Sequence, residues 1–205
     1  GGGRGMRPVM KPEELEEKVL EGRREAVAAF GNGEGYLEKM ILNARHVEVQ
    51  ILGDKYGGLY HLWERDCSVQ RRNQKVIEES ASLALDAEQE ELLRASAARL
   101  VSAAGYVNAG TVEFLYEPRE KLLSFLEVNT RLQVEHPVTE MVVGMDLVEL
   151  QLRIAAGEAI PFTQDDLTER RRGHSIEARI NAEDPAGGKF LPSPGRITRF
   201  RRADG

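Results

Sequence analysis

Cysteine is almost missing: Cys67 is the one thiol in 205 residues. An internal disulfide is excluded, and no His–thiol constellation supports Cys67 as a nucleophile. Long apolar runs are also missing. None approaches the roughly 20 residues that a membrane span needs, and no hydrophobic segment follows the glycine-rich start as a secretory signal requires. These absences predict a cytoplasmic protein, or one of the mitochondrial matrix in a eukaryote. Basic charge is in deficit, with 28 Lys and Arg against 34 Asp and Glu, a net charge of −6 and a pI of about 5.4. A nucleic-acid binder shows the opposite footprint. Repeats and low-complexity segments are lacking too. Hydrophobic residues make up 41% of the chain, enough for a core, and the length suits one large domain or one domain and part of another.

The most informative stretch runs from Gly110 to Glu140. Thr111 to Tyr116 and Leu122 to Asn129 are rich in β-branched, aromatic and aliphatic residues, and Glu117-Pro118-Arg119-Glu120 is turn material. Side chains alternate faces along a strand, so Glu127 and Asn129 share one face. A hairpin closing symmetrically about residue 120 sets Glu113 opposite Glu127 on that face. Facing carboxylates repel. A divalent cation removes the penalty, and two carboxylates with an amide oxygen suit Mg²⁺ completed by phosphate and water. An exposed polar sheet face fits the same spacing.

Around this stretch, the pattern predicts a helix over 12–30, opened by Pro12 and closed by Gly31, with Leu15, Val19, Leu20, Ala26, Val27 and Phe30 on one side. Gly35 to Ile41 reads as a strand. Arg45 to Leu52 alternates, Val47, Val49 and Ile51 facing one way and His46, Glu48 and Gln50 the other. Gly53 to Gly58 is a turn and Leu59 to Glu64 the partner strand. As a bare pattern, Glu64 to Glu79 is a polar loop with internal ion pairs. A helix follows from Asp86 to Ala104, ended by Gly105, its buried stripe formed by Leu92, Leu93, Ala97, Leu100 and Val101. Another spans Asp146 to Ala156, with Leu147, Leu150, Leu152 and Ile154 toward the core. Pro161 to Arg172 reads as a polar connector. At the start, Gly1-Gly2-Gly3-Arg4-Gly5 can form an anion-binding nest.

Asn129-Thr130-Arg131-Leu132-Gln133-Val134-Glu135-His136-Pro137-Val138-Thr139-Glu140 resembles, residue for residue, the signature of the biotin carboxylases, the ATP-grasp enzymes of the biotin-dependent carboxylases. Two further stretches, Gln70-Arg71-Arg72-Asn73-Gln74-Lys75 and Gly173 to Pro185, resemble other signatures of that family, and Leu191 to Thr198 continues the likeness. The resemblance implies an α+β fold: an ATP-grasp core with an antiparallel sheet and flanking helices, a partial lid subdomain before it and the start of the C-terminal domain after it. The implied boundaries are 1–40 for the lid with its Gly-rich loop, 41–172 for the core with the metal and bicarbonate site, and 173–205 for the C-terminal part. In the family a large N-terminal domain and a phosphate-binding lysine precede the Gly-rich loop, so the sequence is expected to be a fragment, inactive alone.

The resemblance also implies roles. Gly1, Gly2 and Gly3 cover ATP, Glu38, Lys39, Met40 and Ile41 meet the adenine, and His46, Gln70 and Asn73 contact the nucleotide. Many members carry His where this chain has Asn73; an amide can hydrogen-bond there but cannot titrate. Glu113 and Glu127 hold Mg²⁺ (or Mn²⁺), with Asn129 assisting a second ion. Lys75, Arg131, Gln133 and the backbone N–H of Val134 hold bicarbonate, which Glu135 deprotonates. Arg131 and Arg179 stabilise the charge on the biotin ureido oxygen. The implied activity is ATP-dependent carboxylation of biotin, borne on a carrier domain, through carboxyphosphate. Implied partners are that carrier, a carboxyltransferase domain or subunit, and further copies in an oligomeric parent. Two other readings stand beside this one. Gln133 to Pro137 is compatible with a carbamoyl-phosphate-type ligase, which also activates bicarbonate. A non-catalytic binding or assembly module is the other.

Overall fold

Alternating valine and isoleucine in β1 (Arg45–Gly53) sets the centre of the molecule, which a computed structural model describes over residues 5–201. Val47, Val49 and Ile51 are all but fully buried. Each such side chain removed from water stabilises the fold by about 1.5–3 kcal/mol. They pack with Leu93, Ala97 and Val101 of α2 (Ala87–Ala103) and with Val112, Phe114 and Tyr116 of β4 (Asn108–Glu117). The other face of β1 carries His46, Glu48 and Gln50, as the alternation requires.

β2 (Leu59–Arg71), β3 (Gln74–Ser80), β5 (Leu122–Asn129) and β6 (Ser175–Ala178) complete a six-stranded antiparallel sheet in the order β5-β4-β1-β2-β3-β6. A second apolar cluster joins Leu52, Leu62 and Trp63 to α3 (His136–Val143), α4 (Leu147–Ala155) and α5 (Gln164–Arg170) through Val142, Val143, Leu147, Leu150, Ile154 and Leu167. β7 (Glu183–Asp184) and β8 (Leu191–Pro192) form a separate small ladder. No helix of the described residues is long and apolar enough to cross a membrane.

The expected helices form, and two caps show why. Asp86 accepts from the backbone N–H groups of Glu88 and Gln89, and Asp146 from that of Glu149. α1 (Leu15–Phe30) ends on Gly31 with φ +72°, a left-handed cap that glycine adopts without strain.

Several expectations are corrected. Gly35 to Ile41 has no regular structure and joins no ladder among the described residues, so it is not a strand. Leu92, Leu100 and Leu152 are exposed; the buried stripe of α2 is Gln89, Leu93, Ala97 and Val101, spaced four apart, with Leu92 and Leu100 on its flank. The polar connector contains α5, whose Thr163–Asp166 capping box closes its first turn. Glu64 to Glu79 is not a loop but the β2–β3 hairpin. The apolar side of α1 is present, yet Leu20, Val27 and Phe30 face outward.

Candidate functional site

The β4–β5 hairpin closes between Glu117 and Leu122, half a residue short of the symmetric register expected. A bulge past Phe114 then moves the register by one and restores Glu113 opposite Glu127 and Thr111 opposite Asn129. Glu113 is buried and Glu127 exposed. Asn129 donates from Nδ2 to Glu113 Oε1 at 2.9 Å.

Lys75 reaches the same carboxylate from the β2–β3 hairpin. Its two-residue turn, Arg72-Asn73, has φ of +51° and +62°, the geometry that matches strand twist. Lys75 is the second residue of β3. Its Nζ lies 2.5 Å from Glu48 Oε2, 2.9 Å from Glu113 Oε1 and 2.5 Å from Glu135 Oε1. Burial works against its charge, but the carboxylates, Glu48 foremost, outweigh it and raise the pKa above the ordinary lysine value.

Glu135 stands at the residue before α3, where the loop from β5 ends, and its side chain makes no capping bond to the helix. Both its oxygens are engaged: Oε1 by Lys75, and Oε2 by Arg179 Nη2 at 2.8 Å. Burial pushes this carboxyl up, and the opposing charge and hydrogen bond of Lys75 bring it below the usual range. Gln133 donates from Nε2 to Glu113 Oε1 at 2.8 Å, while its own Oε1 is buried with no hydrogen-bond partner among the described residues. Glu113 therefore carries three donors on one oxygen and His46 Nε2 at 2.8 Å on the other. Burial acts to raise its pKa, but His46 and Lys75 hold it well below the carboxylate range.

His46 has a defined tautomer. Gln70 Nε2 donates to Cys67 O at 2.8 Å, which fixes that amide as the donor toward His46 Nδ1, also at 2.8 Å. Nδ1 therefore accepts, which leaves the ring N–H on Nε2, 2.8 Å from Glu113 Oε2 but without hydrogen-bond alignment to it among the described residues.

Of the residues singled out in the sequence, the fold thus gathers Lys75, Glu113, Asn129, Gln133, Glu135, Arg179, His46 and Gln70 on one face. Glu127 is their register neighbour at its rim. Arg131 and Val134 are exposed in the adjoining loop, the Arg131 guanidinium donating to Leu132 O at 3.1 Å. Glu38, Lys39 and Met40 are exposed, Ile41 is half-buried, and Asn73 stands exposed at the hairpin tip. Gly1, Gly2 and Gly3 lie outside the described residues.

Sequence reasoning missed the floor of the site. Glu48 accepts from Lys75 and from Arg65, a fully buried arginine that also reaches Gln50 Oε1 at 2.8 Å and Thr139 Oγ1 at 2.9 Å. Arg179 is held from behind by Glu78. Glu48 was visible on the polar face of β1; only the tertiary fold shows that α3 covers that face.

Oxygen donors on one sheet face, Glu113 and Glu127 with Asn129 beside them, fit a hard divalent cation. Glu113 lies within reach of His46 and Glu48 as well, ligand atoms of the three falling within 4.8 Å of one another.

This chain is 51% identical over its full 205 residues to the chloroplastic biotin carboxylase of Arabidopsis thaliana, of which it covers 37%. Among solved structures, a biotin carboxylase complex with β,γ-ATP from Campylobacter jejuni superposes with a TM-score of 0.93 at 48% identity, covering all of this chain and 45% of that one. The biotin carboxylase domain dimer of Hydrogenobacter thermophilus 2-oxoglutarate carboxylase, in complex with MgADP, ADP and bicarbonate, gives 0.92 at 51% identity, covering all of this chain and 44% of that one. The antiparallel sheet with flanking helices is thus an ATP-grasp α+β fold. The chain spans well under half the length of the Arabidopsis relative. A model of the family described as the carbamoyl-phosphate synthase L chain, ATP binding domain, matches residues 1–163, and the chain belongs to that family.

Proposed function

We propose that the parent protein is a ligase, the biotin carboxylase component of a biotin-dependent acyl-CoA carboxylase, using ATP and bicarbonate to carboxylate biotin on a carrier domain. The observation that carries this reading is the shared carboxylate: Glu135 lies between Lys75 at 2.5 Å and Arg179 at 2.8 Å, beside a buried Gln133 oxygen that has no donor among the described residues. An anion with one hydroxyl fits such a place. Cations and N–H groups meet its charged oxygens, and the Gln133 oxygen and the Glu135 carboxylate are the acceptors available to its one O–H, Glu135 being the one that can take the proton.

The chemistry follows from these side chains. Lys75, Arg131, Gln133 and the Val134 N–H hold bicarbonate, and Glu135 takes its proton. A carboxylate held low by cations is a weak base. As Lys75 turns part of its attraction to the incoming anion, the basicity of Glu135 rises toward what the step needs. The freed bicarbonate oxygen attacks the γ-phosphorus of ATP, ADP leaves, and the carboxyphosphate formed breaks down to CO₂ and phosphate. Phosphate takes the proton from biotin N1′, and Arg131 and Arg179 steady the charge that develops on the ureido oxygen before N1′ attacks CO₂. Mg²⁺ or Mn²⁺, held by Glu113 and Glu127 with Asn129 assisting, supplies charge neutralisation for the phosphates. His46, Gln70 and Asn73, together with 38–41 and the three N-terminal glycines, serve the nucleotide. The proposed division of the chain is a partial lid to residue 40, the core to 172 and the beginning of a C-terminal domain beyond. Partners are a carrier domain, a carboxyltransferase and further copies of the parent, working in the cytoplasm or a mitochondrial matrix.

A carbamoyl-phosphate-type ligase is the second reading, favoured by the description of the matching family. Arg179 beside Glu135 favours biotin. Bicarbonate-dependent ATP hydrolysis by the full-length protein, with and without free biotin, decides between them. Biotin stimulation with carboxybiotin formed supports the first reading; turnover indifferent to biotin refutes it.

A further inference from the structure

Glu78 and Glu177 are register partners across β3 and β6. Directly opposed residues of an antiparallel pair lie about 5 Å apart at Cβ, so these two carboxyl groups are neighbours. Glu78 is wholly buried. Its Oε1 accepts from Arg179 Nε at 2.6 Å, and the same guanidinium donates from Nη2 to Glu135 Oε2 at 2.8 Å. Glu78 Oε2 and Glu177 Oε2 are both buried without a hydrogen-bond partner among the described residues. The charged groups acting on this pair are Arg179, Glu135, Lys75 and His136.

A guanidinium is planar and rigid, so fixing two of its nitrogens fixes the whole fork. Nε is fixed from behind by Glu78 and Nη2 from the front by Glu135. We propose that Glu78 is the positioning residue of Arg179, seating its Nε–H so that the guanidinium stands where the biotin half-reaction needs it. One proton shared between the facing oxygens of Glu78 and Glu177 would supply the donor that both lack and remove the repulsion between two facing carboxylates. Burial, the largest influence on each, raises both carboxyls and favours that neutral form.

The inference rests on the proposed function, and its test separates the two. In the full-length enzyme, Glu78→Ala should lower biotin carboxylation tenfold or more while bicarbonate-dependent ATP cleavage stays within about threefold, short of the 10²–10³-fold that outright loss of an oxyanion donor costs. Glu78→Gln keeps an acceptor for Nε and presents an N–H to Glu177, so it should restore both activities to within about threefold of wild type. Equal losses of the two activities in Glu78→Ala, no loss in either, or failure of Glu78→Gln to rescue overturns the proposal. Should Glu78→Ala not fold, Glu78→Asp, which withdraws the carboxylate by one methylene, takes its place with the same split expected and unchanged coupling overturning it. A wild-type enzyme without biotin-dependent turnover refutes the proposed function instead. The positioning claim then stands or falls on NMR of the Arg179 Nε–H: protected from exchange in wild type and Glu78→Gln, and unprotected in the variant lacking the acceptor. Equal protection in all three overturns it.

Discussion

Glu113 and Glu127 face each other across β4 and β5, yet one is buried under four nitrogen contacts and the other stands in solvent. The two should respond differently to the same change. Glu127→Gln touches no buried network, so the melting temperature of the parent enzyme should stay put while the Mg²⁺ needed for half-maximal ATP cleavage rises. Glu113→Gln should raise the Mg²⁺ requirement and also lower the melting temperature, because Lys75 and His46 lose a charged partner. Mg²⁺ titrations of both variants beside thermal scans check this. An unchanged Mg²⁺ requirement in Glu127→Gln removes it as a ligand.

Arg65 tests the floor of the site. Its side chain is fully buried, with Nε 2.6 Å from Glu48 Oε1 and its other nitrogens on Gln50, Thr111 and Thr139. Arg65→Ala leaves these acceptors and Glu48 without the fork. Breaking a buried pair from one side costs about 3–5 kcal/mol. Arg65→Lys should also destabilise, since one ammonium cannot replace a planar fork. Chemical denaturation should show both losses, the alanine variant's the larger; a loss below about 1 kcal/mol in Arg65→Ala contradicts a structural role of this size.

The pair Lys75–Glu135 has a pH signature. Glu135 is held below its ordinary value of 4.5, so its contribution to stability is complete above that value and is lost as pH falls toward the lower folded-state pKa. Lys75 is held above its ordinary value of 10.5, so its contribution persists below that value and is lost only at higher pH. The stability gap between wild type and Glu135→Gln should therefore be constant from about pH 6 to 9 and shrink below about pH 4.5. Urea titrations across that range measure it, and a gap that widens on acidification contradicts the depressed carboxyl.

Most of the sheet was legible in the sequence. The alternation of Val47, Val49 and Ile51 against His46, Glu48 and Gln50 is a period-two signal that one buried face enforces. Glu113 opposite Glu127 was also legible, although through a bulge that the strand pattern did not reveal. The segment 35–41 misled because a strand is a matter of pairing: a run of apolar residues reads the same with or without a neighbour to bond. Charges misled in the opposite direction. Glu64 to Glu79 looks like a solvated loop until β1 and β6 flank it, and then Glu64, Arg65 and Glu78 become fully buried. Partners of a buried charge lie on other elements, as with Arg65 and Thr139, 74 residues apart. Local spacing carries no trace of them.

The sharpest separation of roles lies between Glu135 and Arg131. Glu135 is buried and engaged by two cations, whereas Arg131 is exposed with its guanidinium on a local carbonyl. In the proposed sequence of steps, Glu135 acts on bicarbonate before carboxyphosphate forms, so everything downstream depends on it. Glu135→Gln keeps the shape and one acceptor oxygen but neither the second acceptor nor the base. Bicarbonate-dependent ATP cleavage and biotin carboxylation should then fall together by about 10²–10⁴-fold. Arg131 helps to hold bicarbonate and later steadies the biotin ureido oxygen, where loss of a donor costs about 10²–10³-fold in that step. At saturating bicarbonate its binding role is masked, so Arg131→Ala should spare much of the ATP cleavage and lose most of the carboxylation. The variant then hydrolyses ATP without a matching yield of carboxybiotin, and the ratio of phosphate to carboxybiotin, followed by two assays on one sample, reads this directly. A ratio equal to that of wild type removes Arg131 from the biotin step. Full ATP cleavage in Glu135→Gln shows that the proton is taken elsewhere. Because Arg131 is exposed, its loss should leave the melting temperature unchanged, so a changed ratio cannot be ascribed to unfolding.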